Sequence, residues 1–268
     1  MRNILLLVHD DKGQEARVTA ALDLRHALGG HLTCVDVSIV PEMVTDYIPI
    51  GGTALLLEDE QRNESLNAIR LRARFNQDHV PFDWVDATGD LATSMRDAAG
   101  LADIAVTNRA LDHATFPDAI DLVGKLVVDE ELPVLALPET ARGFRVEGQA
   151  LVAWDGSRSA QAALRAAVPL LKRASCVTLL YVDDGSIKQP LAEAVRYLAR
   201  HGIAATVRRE QAGVSAGEAL LAAARSGEVD YIVMGGFGHA RVLEAMFGGV
   251  TIRLLEECPV PLFLAHRR

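Results

Sequence analysis

Val229-Asp230-Tyr231-Ile232-Val233-Met234-Gly235-Gly236-Phe237-Gly238 sets an unbroken apolar run between an aspartate and a cluster of glycines. Four to eight apolar residues closed off by chain breakers read as a strand buried on both faces. The same motif stands earlier as Ala102-Asp103-Ile104-Ala105-Val106, and two further landmarks recur in the same order. Ile4–Val8 followed by His9-Asp10-Asp11 resembles Ala150–Ala153 followed by Trp154-Asp155-Gly156, and Glu130-Glu131-Leu132-Pro133-Val134 resembles Glu256-Glu257-Cys258-Pro259-Val260. Three landmarks in one order mean a duplicated unit. The polar stretch Pro138-Glu139-Thr140-Ala141-Arg142-Gly143 reads as the joint, which predicts domains at 1–138 and 149–268 with a linker at 139–148.

In the second copy the pattern predicts strands near 149–154, 176–182, 204–210, 229–234 and 260–265, with helices over 157–173, 188–202, 215–227 and 248–258. Ala162, Ala163, Ala166, Ala167 and Leu170 make one apolar helix face. Buried strands alternating with helices predict an α/β fold: two tandem doubly wound domains, each a five-stranded mainly parallel sheet with helices on both faces. The first copy is longer, and its excess falls around 40–58, where Pro41, Pro49, Gly51 and Gly52 mark irregular chain, a plain surface insertion in preference to a lid or partner loop.

Composition narrows the function classes. Half of the 268 residues are hydrophobic and the net charge is −9, which gives no general affinity for nucleic acid or an anionic membrane. Cys34, Cys176 and Cys258 have neither CxxC spacing nor a histidine cluster, so no metal site or disulfide frame is expected. The short apolar run after Met1-Arg2-Asn3 cannot span a bilayer, and a cytoplasmic location is expected.

Ligands of such sheets sit beyond the carboxyl ends of the strands. In the second copy these ends carry Trp154-Asp155-Gly156-Ser157, Val182-Asp183 and the glycine cluster that starts at Gly235. From there the chain runs Gly235-x-x-Gly238, nine residues, then Gly248-Gly249-Val250-Thr251 into the last predicted helix. Glycines let backbone approach a ligand closely, and a helix start offers unpaired amides and about half a positive charge, which together suit a phosphate. Thr251 adds a hydroxyl and Arg241 a cation, while Asp155 can accept hydrogen bonds from a ribose or a base. Asp155 can equally cap the first helix, and Trp154 can stack on a base or pack at the strand end against the neighbouring domain. Neither a Walker A loop nor a GxGxxG turn after the first strand is present.

The pattern Gly235-x-x-Gly238, nine residues, Gly248 resembles the signature of ATP-binding universal stress proteins, which have an adenine-nucleotide α-hydrolase-like fold. The resemblance implies that Asp155, Val182, Met234 and Gly235 contact adenosine, and that Gly238, Gly248, Gly249, Val250 and Thr251 surround the phosphates. It implies ATP, with ADP or AMP as alternatives and Mg²⁺ left open, used for stress signalling and not for catalysis. A ligand-free scaffold and a slow nucleotide hydrolase are the competing readings. It further implies that the last strands of the two copies, 133–137 and 259–265, pair within the chain as a pseudo-dimer, with a homodimer and a protein partner left open. Gly249 departs from the family's Ser/Thr at that position, so one hydroxyl donor is missing. In the first copy Asn108, Leu111, Leu122, Val123 and Lys125 stand where the second has its ligand residues, which predicts a degenerate copy retaining Asp10.

Overall fold

The computed structural model of the protein describes residues 1–39, 52–109, 119–182, 190–210, 213–237 and 249–267. The first half runs β1 (Asn3–Val8), α1 (Gln14–Leu28), β2 (His31–Ile39), α2 (Gly52–Gln77), β3 (Phe82–Gly89), α3 (Leu91–Ala99), β4 (Ile104–Asn108), α4 (Ala119–Val128) and β5 (Val134–Leu137). The second half repeats the order as β6 (Gln149–Ala153), α5 (Arg158–Leu171), β7 (Cys176–Val182), α6 (Leu191–Arg200), β8 (Ala205–Glu210), α7 (Ala216–Arg225), β9 (Tyr231–Gly235), α8 (Gly249–Glu257) and β10 (Leu262–Ala265). Of the insertion expected at 40–58, residues 40–51 lie outside the described residues, and from Gly52 onward the chain is helix, not irregular surface. The Gly52 signal is overridden by the long helical stretch behind it, in which Leu71 and Phe75 are buried a turn apart.

All ten strands form one sheet in the order β3-β2-β1-β4-β5-β10-β9-β6-β7-β8, so each half has the doubly wound order that reverses at its first strand. Pairing is parallel throughout except where β5 meets β10 antiparallel, Leu262 opposite Ala136 and Leu264 opposite Val134. That seam removes two open edges that would otherwise template aggregation. The outer strand β8 is mostly exposed and carries Arg208 and Arg209, charges that blunt an edge.

Period-two alternation sends Ile4, Leu6 and Val8 to one face of the sheet and Leu5 and Leu7 to the other. The first face is covered by α1, α2, α5 and α6, the second by α3, α4, α7 and α8, and each core runs through both halves without a break. Arg109 strengthens the seam by donating to the Leu254 carbonyl in α8 (3.0 Å). The segment between β5 and β6 is packed too: Phe144 is buried, its ring edge-on to Tyr231 at 5.0 Å.

The repeated aspartates now have a physical role. Asp103 accepts the amides of Arg2 (2.6 Å) and Asn3 (2.9 Å), while Asp230 accepts the amide of Gln149 (2.7 Å) and an Arg145 guanidinium (2.7 Å). Each ties the start of its half's first strand to the fourth. Hydrogen bonds to a charged group contribute about 1.5–3 kcal/mol, less where solvent screens them. Asp230→Ala is expected to lower the urea midpoint more than Asp103→Ala, because the Asp230 side chain is the less exposed of the two, 19% against 40%. Among the described residues no helix is long and apolar enough to cross a membrane.

Candidate functional site

The carboxyl edge of the second half gathers the ends of β6, β7 and β9 with the start of α8. After β6 the chain turns at Gly156, whose φ of +71° favours glycine. The Ser157 amide donates to Asp155 Oδ1 (2.8 Å), and the Ala160 amide donates to Ser157 Oγ (3.1 Å). Ser157 is therefore the cap of α5, and Asp155 forms the turn that presents it. Asp155 remains exposed at the sheet edge with acceptor capacity beyond that one bond.

Met234 is buried and Val182 half-buried on the α7/α8 face. Trp154 is sent to the opposite face, where it packs under α5 and α6 of its own half and lines a cavity of about 330 Å³ with Arg165, Tyr197 and Arg200. Its side chain thus lies on the face away from Val182 and Met234, because β6 residues alternate faces and Trp154 follows Val152.

Gly235 has a reason of its own. A Cβ there would meet Ser159 carbonyl carbon and Ala160 nitrogen at 2.6 Å, so β9 ends backbone-to-backbone against the first turn of α5. Next, Phe237 adopts φ +52°, its ring lies against Gly124 of α4, and its amide faces Thr251 Oγ1 at 3.4 Å. Thr251 is buried and half-buried Val250 packs on the same core, whereas Gly249 is exposed with no described residue within 4 Å of a Cβ built on it. The structure therefore brings Asp155, Val182, Met234, Gly235, Gly249, Val250 and Thr251 to one edge. Gly238, Arg241 and Gly248 lie outside the described residues.

One residue at this edge has no signal in the sequence. His266, just past β10, is buried, with Nδ1 2.9 Å from the Gly236 carbonyl and 3.1 Å from Ser159 Oγ. It locks the exits of β9 and β10 to the start of α5. A lone histidine three residues from the chain end carries no spacing that marks it.

The first half fills the same edge with its own side chains. Asp11, not Asp10, is the counterpart of Asp155: the Gly13 amide donates to Asp11 Oδ1 (2.6 Å), the same turn two residues before the helix. Asp10 is instead exposed and paired with Arg70 (3.1 Å). The β1–α1 loop is longer than the β6–α5 loop, which is why a residue-by-residue match from the strand picks the wrong aspartate. Fully buried Arg17 bonds Asp11 (3.0 Å), Asn108 Oδ1 (2.5 Å) and the carbonyls of Leu7 and His9. The glycine has also changed sides. In this half the helix contributes Gly13, whose Cβ would strike Asn108 at 2.6 Å, and the strand has the larger residue, Asn108, where the second half has Gly235.

Beside Arg17, His9 Nδ1 lies 2.6 Å from Glu64 and 3.7 Å from Glu60 of α2. Burial works against a charged His9, but the Glu64 hydrogen bond and the charges of Glu64, Glu60 and Asp11 prevail and raise its pKa. Burial would likewise raise Glu64, yet His9 holds it below the usual carboxylate range. Asp36, buried and next to the charge of Glu64, is pushed up to about 7.

Residues 148–266 match the model of the universal stress protein family. The whole chain is similar in structure to a universal stress protein from Archaeoglobus fulgidus DSM 4304, at 17% identity and a TM-score of 0.75, over 99% of this chain and 98% of that one. It is also similar to a putative universal stress protein from Pseudomonas aeruginosa UCBPP-PA14, at 16% identity and TM-score 0.63 over 99% and 93%. A functionally unknown protein from Pseudomonas aeruginosa PAO1 gives 15% identity and TM-score 0.62 over 99% and 92%. No curated protein matches the chain. The molecule is thus a doubly wound α/β protein with its unit present twice. The likeness to the universal stress protein family is carried by the second half, residues 148–266.

Proposed function

We propose that the second half binds an adenine nucleotide, ATP foremost, at the edge formed by Asp155, Val182, Met234, Gly235, Gly249, Val250 and Thr251. Gly238, Arg241 and Gly248 complete the set, whereas the Trp154 side chain is left out of it. The observation that carries this reading is that no described residue comes within 4 Å of a Cβ built on Gly249, at the first turn of α8. The amides of a first helical turn suit an anion, and the exposed Asp155 carboxylate at the end of β6 suits sugar hydroxyls. The contrast with the first half supports it, since there Arg17 and Asn108 fill the equivalent edge.

The bound nucleotide acts as a signal. Occupancy shifts the protein between two states only as far as the nucleotide prefers one of them, and a protein partner reads the difference. In this reading the division at 139–148 separates a nucleotide-binding half from a half that supplies the seam. Mass spectrometry of small molecules released on denaturation is expected to find an adenine nucleotide in the purified protein. Titration calorimetry with ATP should show one site per chain, weakened by Asp155→Asn, which keeps the acceptor of the Ser157 amide and removes only the charge. Unchanged ATP affinity in that variant would remove Asp155 from the site.

Gly249→Ser gives a test in the opposite direction. The position has room for the side chain, so the hydroxyl adds a donor without a clash. One neutral hydrogen bond contributes about 0.5–1.5 kcal/mol. Affinity for ATP is expected to rise roughly two- to tenfold, with thermal stability in the absence of nucleotide nearly unchanged. A serine variant that binds no better would separate the start of α8 from the phosphates.

A further inference from the structure

The carboxyl edge of the first half holds a second ligand chemistry, independent of the nucleotide reading of the second. His9 follows β1, Asp36 lies on β2, and Glu60 and Glu64 sit one turn apart on α2. Leu32, Cys34 and Asp36 alternate toward the face that α2 covers, and α2 buries Phe75, Leu71, Ala68, Asn67 and Glu64 along one stripe. That stripe is apolar where it crosses the middle of the sheet and turns acidic at the strand ends. One ligand atom each from His9, Glu60 and Glu64 lies within 4.8 Å of the others.

An ion pair between His9 and Glu64 accounts for two of these groups. It does not account for Asp36, which is 5% exposed, lies against Glu64 and has an Oδ1 with no hydrogen-bond partner. Two carboxyl groups buried against each other need a cation or a proton between them. Four carboxyls, those of Asp11, Asp36, Glu60 and Glu64, share this corner with the His9 imidazole and the buried guanidinium of Arg17, which bonds Asp11. The arrangement has acceptor capacity in excess of its cations.

We propose that His9, Glu60 and Glu64, with Asp36 beside Glu64, form a site for one first-row divalent transition cation, Zn²⁺ foremost. One imidazole with carboxylates suits zinc and its neighbours, whereas Mg²⁺ and Ca²⁺ favour all-oxygen sets with several retained waters. Zinc needs only three or four such ligands, and its protein ligands include histidine nitrogen and carboxylate oxygen. The Asn67 amide, which donates to Glu64 (3.2 Å), and the Asp10 amide, which donates to the same carboxylate (2.9 Å), orient Glu64 as outer partners orient metal ligands. The cation links α2 to the ends of β1 and β2.

The test is titration of the chelator-treated, nucleotide-free full chain with ZnCl₂, with MgCl₂ in parallel. One Zn²⁺ per chain is expected, with Glu60→Gln weakening it by roughly one to two orders of magnitude, and Mg²⁺ binding far more weakly. Glu60 is the variant of choice because its side chain is one-fifth exposed, and circular dichroism checks its fold. A second measurement needs no variant: crystals grown with Zn²⁺ should show an anomalous scattering peak between His9 and Glu64. Absence of binding, a Zn²⁺ affinity untouched by Glu60→Gln in a folded variant, equal affinity for Mg²⁺, or a peak only elsewhere would each overturn the proposal. Since every readout lies in the first half and uses no nucleotide, these results leave the ATP reading of the second half untouched.

Discussion

Gly235→Ala is expected to lower the stability of the whole protein by about 3 kcal/mol, with or without nucleotide. The added methyl would stand 2.6 Å from two backbone atoms of Ser159 and Ala160, and backbone in the first turn of a helix cannot rotate aside. At roughly 2–4 °C per kcal/mol for a chain of this size, the melting temperature should fall by about 6–12 °C. A ligand-only role for Gly235 makes a different forecast: unchanged melting without nucleotide and lost binding. Calorimetric scans of the nucleotide-free protein separate the two. The first half offers the mirror experiment. Gly13→Ala should be costly in the native protein, where the Asn108 side chain stands 2.6 Å away, and mild in an Asn108→Ala background. A double-mutant cycle is expected to return a coupling of about 1–3 kcal/mol, and a coupling near zero would refute the close approach.

Arg17→Met should cost about 3–5 kcal/mol, the penalty for removing one partner of a buried ion pair. Arg17 is fully buried and bonds Asp11, Asn108 and two carbonyls, so its loss strands an uncompensated carboxylate together with three acceptors. Pairing it with Asp11→Asn removes the stranded charge and keeps an acceptor for the Gly13 amide. The double variant should recover part of the loss in urea unfolding, and one no more stable than Arg17→Met would show that the charge of Asp11 is not the cost. Clearing Arg17 is not expected to create a second nucleotide site, because Asn108 still stands where the second half has glycine.

The duplicated architecture was legible because it depends on local pattern. Apolar runs such as Tyr231–Met234, bounded by Asp230 and by glycines, can only be central strands, and their recurrence at Ile104–Val106 exposes the repeat. The sequence also pointed to the carboxyl ends of the strands as the place where a ligand is expected, since doubly wound sheets take their ligands there. What each residue does at that edge was less so. Asp10 and Asp11 are adjacent and identical, and which one reproduces the turn of Asp155 depends on loop length, which a pattern of apolar runs does not encode. The glycines of the second half read as room for a ligand, yet Gly235 is also required by the helix across from it.

By itself, the sequence determined the class of fold and the doubling. These follow from periodicity and chain breakers, which act over a few residues. Only the tertiary structure decided that Trp154 turns to the α5/α6 face, that His266 clamps the exits of β9 and β10, and that His9, Glu60 and Glu64 meet at one corner with buried Asp36 against Glu64. Those residues are scattered along the chain from position 9 to position 266. The free energy of bringing them together resides in the packing of helices on the sheet, and no local spacing records it.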